Sequence, residues 1–309
     1  IDNKHHSAAS LVAAGMWNPI NFRRMLFSWK AHELVPFLNE FYGEIEQKLG
    51  LKLLHQKTNF KRISDENSFR LWQKQKDDLR GWAKPLTDTT QPFISAYAVG
   101  EVSHCGILDL PLYLNASKKH FQALGVLEES NYSWKEWQNE EAVITIACQG
   151  FQNADNPFFD WLPINANKGE ILSLRSRLNP GEKIYNVGKF FYQDPKGNVK
   201  AGSTYYWNDL SPEPTEKGRQ EILEPIRQYL DPSAEVKETS VGFRPTTPDR
   251  RPIIGFHPSI KSLAIFNGLG TKGVMLAPYF ANQFVASILD NTQLDSEVDI
   301  QRFYKRYHD

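Results

Sequence analysis

Gly268, Gly270 and Gly273 stand in GxGxxG spacing between the apolar run SLAIFN (262–267) and an apolar stretch with helical character. Glycine at such a turn lets the backbone approach a planar or anionic ligand with no Cβ in the way, and the first N–H groups of the helix face that ligand. No acid follows at the end of a second strand about 20 residues further on, so the turn does not meet the NAD fingerprint. Arg244 lies in VGFRPTTPDRRPIIG (241–255), where Pro245, Pro248 and Pro252 pre-set the chain. A guanidinium held so rigidly suits bidentate contact with a carboxylate. Arg250 and Arg251 look less constrained and read as surface residues. The histidines are scattered, with no HExxH, no GxSxG elbow and no Walker lysine motif, so hydrolase and kinase chemistry lose support. Cys105 and Cys148 form no CxxC pair, which argues against a disulfide framework or a thiolate zinc site. Cys148 reads as a small buried residue.

These groups need a scaffold, and 309 residues suffice for a large core in two domains or one large α/β unit. Residues 24–49 carry Leu26, Phe27, Leu34, Phe37, Leu38, Phe41 and Tyr42 at helical intervals and stop at Gly50. They predict a long amphipathic helix, kinked or broken near Pro36. The following 51–63 read as extended and 65–80 as a polar surface helix. Asp109 before Leu110-Pro111 is an N-cap signal for a helix ending at Gly125. AVITIA (142–147) reads as a strand buried on both faces of a parallel sheet. Residues 184–208 flank the turn cluster Asp194–Asn198 with extended segments, the pattern of an antiparallel hairpin. A polar helix is expected over about 215–230, and 241–258 is too proline-rich for a helix and too irregular for a central strand. SLAIFN predicts a second buried strand, and Val274–Leu289 a helix.

Lysine plus arginine equals aspartate plus glutamate, 36 against 36, so no long-range field favours nucleic acid or an anionic membrane. No stretch reaches the roughly 20 apolar residues that span a bilayer. With two cysteines and a polar, His-rich start, the expected compartment is the cytoplasm. The sequence assigns no oligomeric state.

Several segments, in order, resemble the D-amino-acid oxidase family of flavoproteins, which includes glycine oxidase. ID (1–2) with SAASLVAAGMWNP (7–19) is similar to the family's end of strand two and its flavin loop, and ITIACQG (144–150) to the strand on the adenosine side. PINANKGEIL (163–172) and KAGST (200–204) resemble strands of the substrate domain. VGFRPTTPDRRPIIG and FNGLGTKGVMLAPYFANQFVASIL (266–289) carry the most specific likeness. The resemblance implies FAD as cofactor and an α/β fold with an α+β substrate domain on a mixed, largely antiparallel sheet. It implies a discontinuous FAD-binding domain over 1–50, 104–160 and 253–309, and a substrate domain over 51–103 and 161–252.

By the same resemblance Arg244 holds the substrate carboxylate, and Tyr205 or Tyr206 closes the pocket. Asp2 contacts the adenosine ribose, while Ser10, Ala14 and Gly15 line the phosphate and ring side. Ala147 and Gly150 end the adenosine-side strand. Gly268, Gly270, Thr271, Lys272, Gly273 and Val274 lie under the flavin pyrimidine ring. The implied reaction is hydride transfer to flavin from the carbon bearing the nitrogen of an amino acid or secondary amine, and no protein acid or base is assigned. The family's amino-terminal GxGxxG turn is not in the sequence, which leads to the expectation of an upstream unit of about 30 residues. GLGTKG also resembles the Leu-Gly-Ser-Arg-Gly turn in the flavin domain of the bifunctional enzyme that modifies wobble uridine in tRNA. An enzyme acting on an aminomethyl group of tRNA is therefore an alternative, and a non-catalytic member of the fold another.

Overall fold

The computed structural model describes residues 8–86, 96–130, 133, 134, 137, 144–177 and 181–308. In chain order its strands are β1 (Met16–Trp17), β2 (Ile20–Asn21), β3 (Leu26–Phe27), β4 (Leu54–Ile63), β5 (Ala83–Leu86), β6 (Ala98–Leu108), β7 (Thr145–Ala147), β8 (Asn165–Arg175), β9 (Lys183–Asn186), β10 (Phe190–Gln193), β11 (Val199–Gly202), β12 (Glu235–Thr246), β13 (Ile253–Phe256) and β14 (Leu263–Asn267). The α-helices are α1 (Ala9–Val12), α2 (Ala31–Leu49), α3 (Glu66–Lys74), α4 (Leu110–Ala123), α5 (Glu216–Ile226), α6 (Gly273–Leu289) and α7 (Tyr304–His308).

Nine strands form one mixed sheet in the order β1-β6-β4-β9-β10-β11-β8-β12, with β5 added beside β6. All its pairs are antiparallel except β4 with β9. The turn at 194–198 joins β10 to β11 as an antiparallel hairpin, as its residues predict. One face of the sheet packs Leu172, Leu174, Phe191, Val199 and Ala201 against Ile222 and Ile226 of α5. A second sheet of three strands runs β13-β14-β7, with β7 parallel to β14. A main core joins the two parts, packing Leu34, Val35, Leu38 and Tyr42 of α2 against Met275, Leu276, Phe280 and Phe284 of α6. This is the expected α/β class with a mixed sheet. None of the described helices is long and apolar enough to cross a membrane.

Five local expectations need correction. The helix expected from residue 24 starts at Ala31, because Lys30 adopts a left-handed conformation and Leu26–Phe27 pair with Ile20–Asn21 instead. Pro36 does not break α2: near the helix start it removes a single backbone bond, and four buried side chains of the same helix hold it to the core. The helix expected over 65–80 ends at Lys74, with Asp65 capping its start by accepting from Ser68 N at 2.8 Å. β7 is not buried on both faces: Ala147 is inaccessible but Ile146 is 40% exposed, because β7 pairs only with β14 among the described strands. Cys148 is likewise exposed.

The proline-rich 241–255 segment resolves into two strands. β12 takes an edge of the large sheet, where Pro245 is tolerated because an edge strand needs only half of its N–H groups paired. The entry to β4 depends on Glu46, in the last turns of α2. Its carboxylate accepts from Leu53 N at 2.6 Å and Leu54 N at 2.7 Å, which turns the chain after Gly50. These bonds and Lys52 hold the Glu46 carboxyl below its usual range although burial opposes them. A depressed carboxyl stabilises the fold above its unfolded pKa, and that contribution disappears as pH falls through the lowered folded value. Glu46→Gln is expected to lose about 1–2 kcal/mol at pH 7 and to converge on the parent in acid, measured by urea unfolding across pH.

Candidate functional site

The alternation of β8 places Asn167 and Gly169 on the face that receives Arg244 from β12, whose backbone lies opposite Asn167. The guanidinium lies flat over Gly169, where a Cβ would come within 2.1 Å of Nη2. Tyr205 covers its other side, with the guanidinium carbon 4.3 Å from the ring centre. Nη1 donates to Asn167 Oδ1 at 2.7 Å and to the Thr204 carbonyl at 3.2 Å, and Nη2 donates to Ser203 Oγ at 2.9 Å.

Nη1 also reaches the Lys168 carbonyl at 3.5 Å, and all four acceptors are neutral. Of the five guanidinium N–H groups, Nε–H and one on Nη2 keep no acceptor among the described residues, and no described carboxylate forms an ion pair with Arg244. Burial lowers the Arg244 pKa, opposed only by Tyr205. A guanidinium fixed on two sides, with two donors open along its Nε/Nη2 edge, can take a carboxylate or another planar oxyanion side-on.

The glycine turn docks directly on this strand. Gly270 N donates to the carbonyl of Pro245 at 2.9 Å, one residue beyond Arg244. Gly268 and Gly270 both have left-handed φ values, 76° and 54°, and a Cβ on Gly268 would fall 2.8 Å from Thr247 Cγ2. Thr271 is exposed, and Gly273 and Val274 open α6. Gly150, just after β7, is tied to the same place, since its carbonyl accepts from Asn267 Nδ2 at 2.9 Å. Ala147 lies buried at the end of β7.

The early loop closes on the same strand from another side. Ala8 bridges Phe243, and Val12 packs where Gly242 leaves room. Ser10, on α1, is exposed. Ala14 O accepts from Tyr192 Oη at 2.6 Å, and Gly15 O accepts from Leu108 N at 2.9 Å. Gly15 has φ 67°, and any Cβ there would sit 2.0 Å from the Leu108 carbonyl oxygen.

Lys272 precedes α6 and donates through Nζ to Ser28 Oγ. Burial, with Arg250 also contributing, brings its pKa down to about 8. The buried Cys105 thiol donates to the Ser103 carbonyl at 3.4 Å. Asn59 is inaccessible, and neither its Oδ1 nor its Nδ2 has a partner. A buried cation beside a turn of left-handed glycines suits a ligand with carbonyl oxygens at its edge.

Of the residues expected at the site, Arg244, Tyr205, Ala14, Gly15, Gly150 and the 268–274 turn belong to elements that converge on β12 and its neighbours. Tyr206 does not converge: its hydroxyl donates to Glu221 at 2.8 Å, while its backbone pairs with Lys168. Asp2 lies outside the described residues. Asn167, Gly169 and Ser203 join the site without having been singled out, and no group of His, Cys, Asp and Glu among the described residues could hold a metal ion.

The comparisons with known proteins bear on the same elements. A family model described as FAD dependent oxidoreductase matches residues 2–286. The tRNA 5-methylaminomethyl-2-thiouridine biosynthesis bifunctional protein MnmC of Marinobacter nauticus is 33% identical over 127 residues, which cover 35% of this chain and 20% of that protein. Glycine oxidase of Bacillus licheniformis is 26% identical over 127 residues, 40% of this chain and 34% of that protein. The chain thus matches well under two thirds of the length of these relatives. Among solved structures, iminodiacetate oxidase from Chelativorans sp. BNC1 superposes with a TM-score of 0.76 at 20% identity, covering 98% of this chain and 90% of that one. Glycine oxidase from Geobacillus kaustophilus superposes with a TM-score of 0.75 at 16% identity, covering 96% and 88%. These likenesses establish the shared fold, and the match across residues 2–286 shows that the chain belongs to the D-amino-acid oxidase family of FAD-dependent oxidoreductases.

Proposed function

We propose that the chain binds FAD and oxidises the C–N bond of an amino acid or secondary amine that carries a carboxylate. The observation that carries this reading is the free Nε/Nη2 edge of a guanidinium clamped between Gly169 and Tyr205 with only neutral partners. In this reading 1–50, 104–160 and 253–309 make up the cofactor-binding part, and 51–103 with 161–252 the substrate-binding part. Gly268–Val274, Lys272 among them, face the flavin ring, and Ser10, Ala14, Gly15, Ala147 and Gly150 serve the remainder of the cofactor, with Asp2 on its ribose.

When bound, FAD supplies the acceptor for the hydride leaving the carbon that bears the nitrogen. The protein's contribution is orientation. Arg244 fixes the carboxylate, so the neighbouring carbon has one position relative to the glycine turn docked on Pro245. Tyr205 keeps the guanidinium from swinging out of that plane. The Lys272 ammonium and the start of α6 place positive potential where electron density increases.

A second reading, favoured by the 33% identity to the bifunctional tRNA-modifying protein, makes the amine part of a modified nucleoside in tRNA. Tyr205, which packs on Arg244, and Trp207 two residues further on are 55% and 58% exposed, open to a substrate larger than a free amino acid. Anaerobic mixing of the flavin-loaded protein with small amino acids, and separately with tRNA bearing aminomethyl uridines, tests both readings: the true substrate bleaches the flavin bands. A flavin-loaded protein that neither set reduces contradicts both.

Two variants check the role of the guanidinium. Arg244→Leu is expected to raise the KM for a carboxylate-bearing amine by more than tenfold, because removing one partner of a buried charge pair costs roughly 2–5 kcal/mol. Gly169→Ala keeps the charge but drives the guanidinium from its seat, so steady-state kinetics should show the same direction of change, with about 1–3 kcal/mol lost in stability. Unchanged KM in both variants would remove Arg244 from the site.

A further inference from the structure

The same alternation that turns Asn167 and Gly169 toward Arg244 turns Lys168 and Glu170 to the opposite face of β8, and both are fully inaccessible. They do not pair with each other. Lys168 Nζ donates to Asp209 Oδ2 at 2.8 Å, Ser211 Oγ at 2.9 Å and the Glu213 carbonyl at 2.8 Å. Glu170 accepts from Thr215 Oγ1 at 2.8 Å and from Thr215 N at 3.2 Å, at the residue that caps α5. Gly218, in the first turn of α5, makes room for it: a Cβ there would fall 2.4 Å from the carboxylate.

Every one of these hydrogen-bond partners lies on the segment from Ser203 to Thr215, whose first three residues contact Arg244. Its beginning is laced to β8 by backbone bonds, Lys168 N to Tyr206 O at 2.9 Å and Tyr206 N to Lys168 O at 3.0 Å, and by Glu170 N donating to the Thr204 hydroxyl at 2.9 Å. Its apolar side chains cannot hold it down, since Tyr205, Trp207 and Leu210 are 55%, 58% and 53% exposed. Its attachment beyond Tyr206 therefore rests on polar bonds to two buried charges. Buried charges are costly unless their bonds are complete, so the two side chains favour a single loop conformation over an ensemble.

We propose that Lys168 and Glu170 are positioning residues that hold the 203–215 loop closed over Arg244, so that Tyr205 and the Ser203 and Thr204 oxygens keep the guanidinium in one orientation for its ligand. This rests on the reading of Arg244 as the carboxylate site, and the loop can be assayed without reference to that reading.

The experiment compares Lys168→Met and Asp209→Asn with the parent, all as flavin-loaded full chains. Asp209→Asn keeps the buried lysine and removes only its partly exposed anionic partner, which guards against a variant that fails to fold. Chymotrypsin reads the loop directly, because Trp207 and Leu210 are cleavable only when the segment leaves β8. Cleavage within 203–215 is expected to accelerate by about tenfold or more in both variants, as a charge-assisted bond is lost from the closed state. KM for the carboxylate-bearing amine is expected to rise several-fold with kcat nearly unchanged, a split that general destabilisation does not produce. Parent-like cleavage in folded variants overturns the proposal. Faster cleavage with unaltered KM overturns the link to Arg244, while the Arg244→Leu result judges the carboxylate reading independently.

Discussion

A guanidinium that is mostly removed from water and surrounded by neutral oxygens is an unfinished interaction. Arg244 is fixed below by the bare Cα of Gly169, above by Tyr205 and along one edge by Asn167, Thr204 and Ser203. Nothing described in the protein neutralises it. Burial works against its charge, so the arrangement gains most when an anion arrives at the Nε/Nη2 edge. Much of the surrounding architecture can be understood as the means of holding that edge still. β12 is an edge strand in register with β8 over nearly its whole length, Ala8 and Val12 of the α1 region press on it from one side, and the Gly268–Gly273 turn docks on it from another.

The two sheets meet at this strand, which explains how a substrate group and a cofactor group could be brought together. The large sheet supplies Arg244 and its clamp, and the small sheet supplies the turn that leads into α6. The bond from Gly270 N to Pro245 O fixes the distance between them through backbone atoms, independently of side-chain rotamers. Lys272, buried with Ser28 Oγ as its acceptor, forms a second polar region at the same turn. Two such regions on either side of a short span suit a reaction between one group bound by charge and another with carbonyl oxygens at its edge.

Much of this was legible in the sequence. Proline spacing marked Arg244 as rigid, glycine spacing marked the turn before α6, and the Asp194–Asn198 cluster marked the β10-β11 hairpin. What local pattern could not show was pairing between distant segments. Asn167 and Gly169 look like ordinary residues in NANKGE, and only the register of β8 with β12, some 77 positions away in the Arg244–Asn167 bond, gives them a role. Tyr205 and Tyr206 were indistinguishable as neighbours, and the sheet's alternation separated them, sending one ring to Arg244 and the other hydroxyl to Glu221. The start of α2 was misplaced because the apolar residues Leu26 and Phe27 fit a helical period as well as the β2-β3 pairing that claims them. Lys168 and Glu170 on either side of Gly169 were a possible signal, since two charges flanking a glycine in a strand must either face solvent or be matched.

The most direct measurement is a crystal structure of the flavin-loaded protein with a non-oxidisable carboxylate, such as a simple analogue of an N-methyl amino acid. The expected result is a carboxylate whose two oxygens accept from Nε and Nη2 of Arg244, with Gly169 and Tyr205 still on either side of the guanidinium. A carboxylate bound elsewhere, with the Nε/Nη2 edge of Arg244 left to solvent, would contradict the assignment of this site.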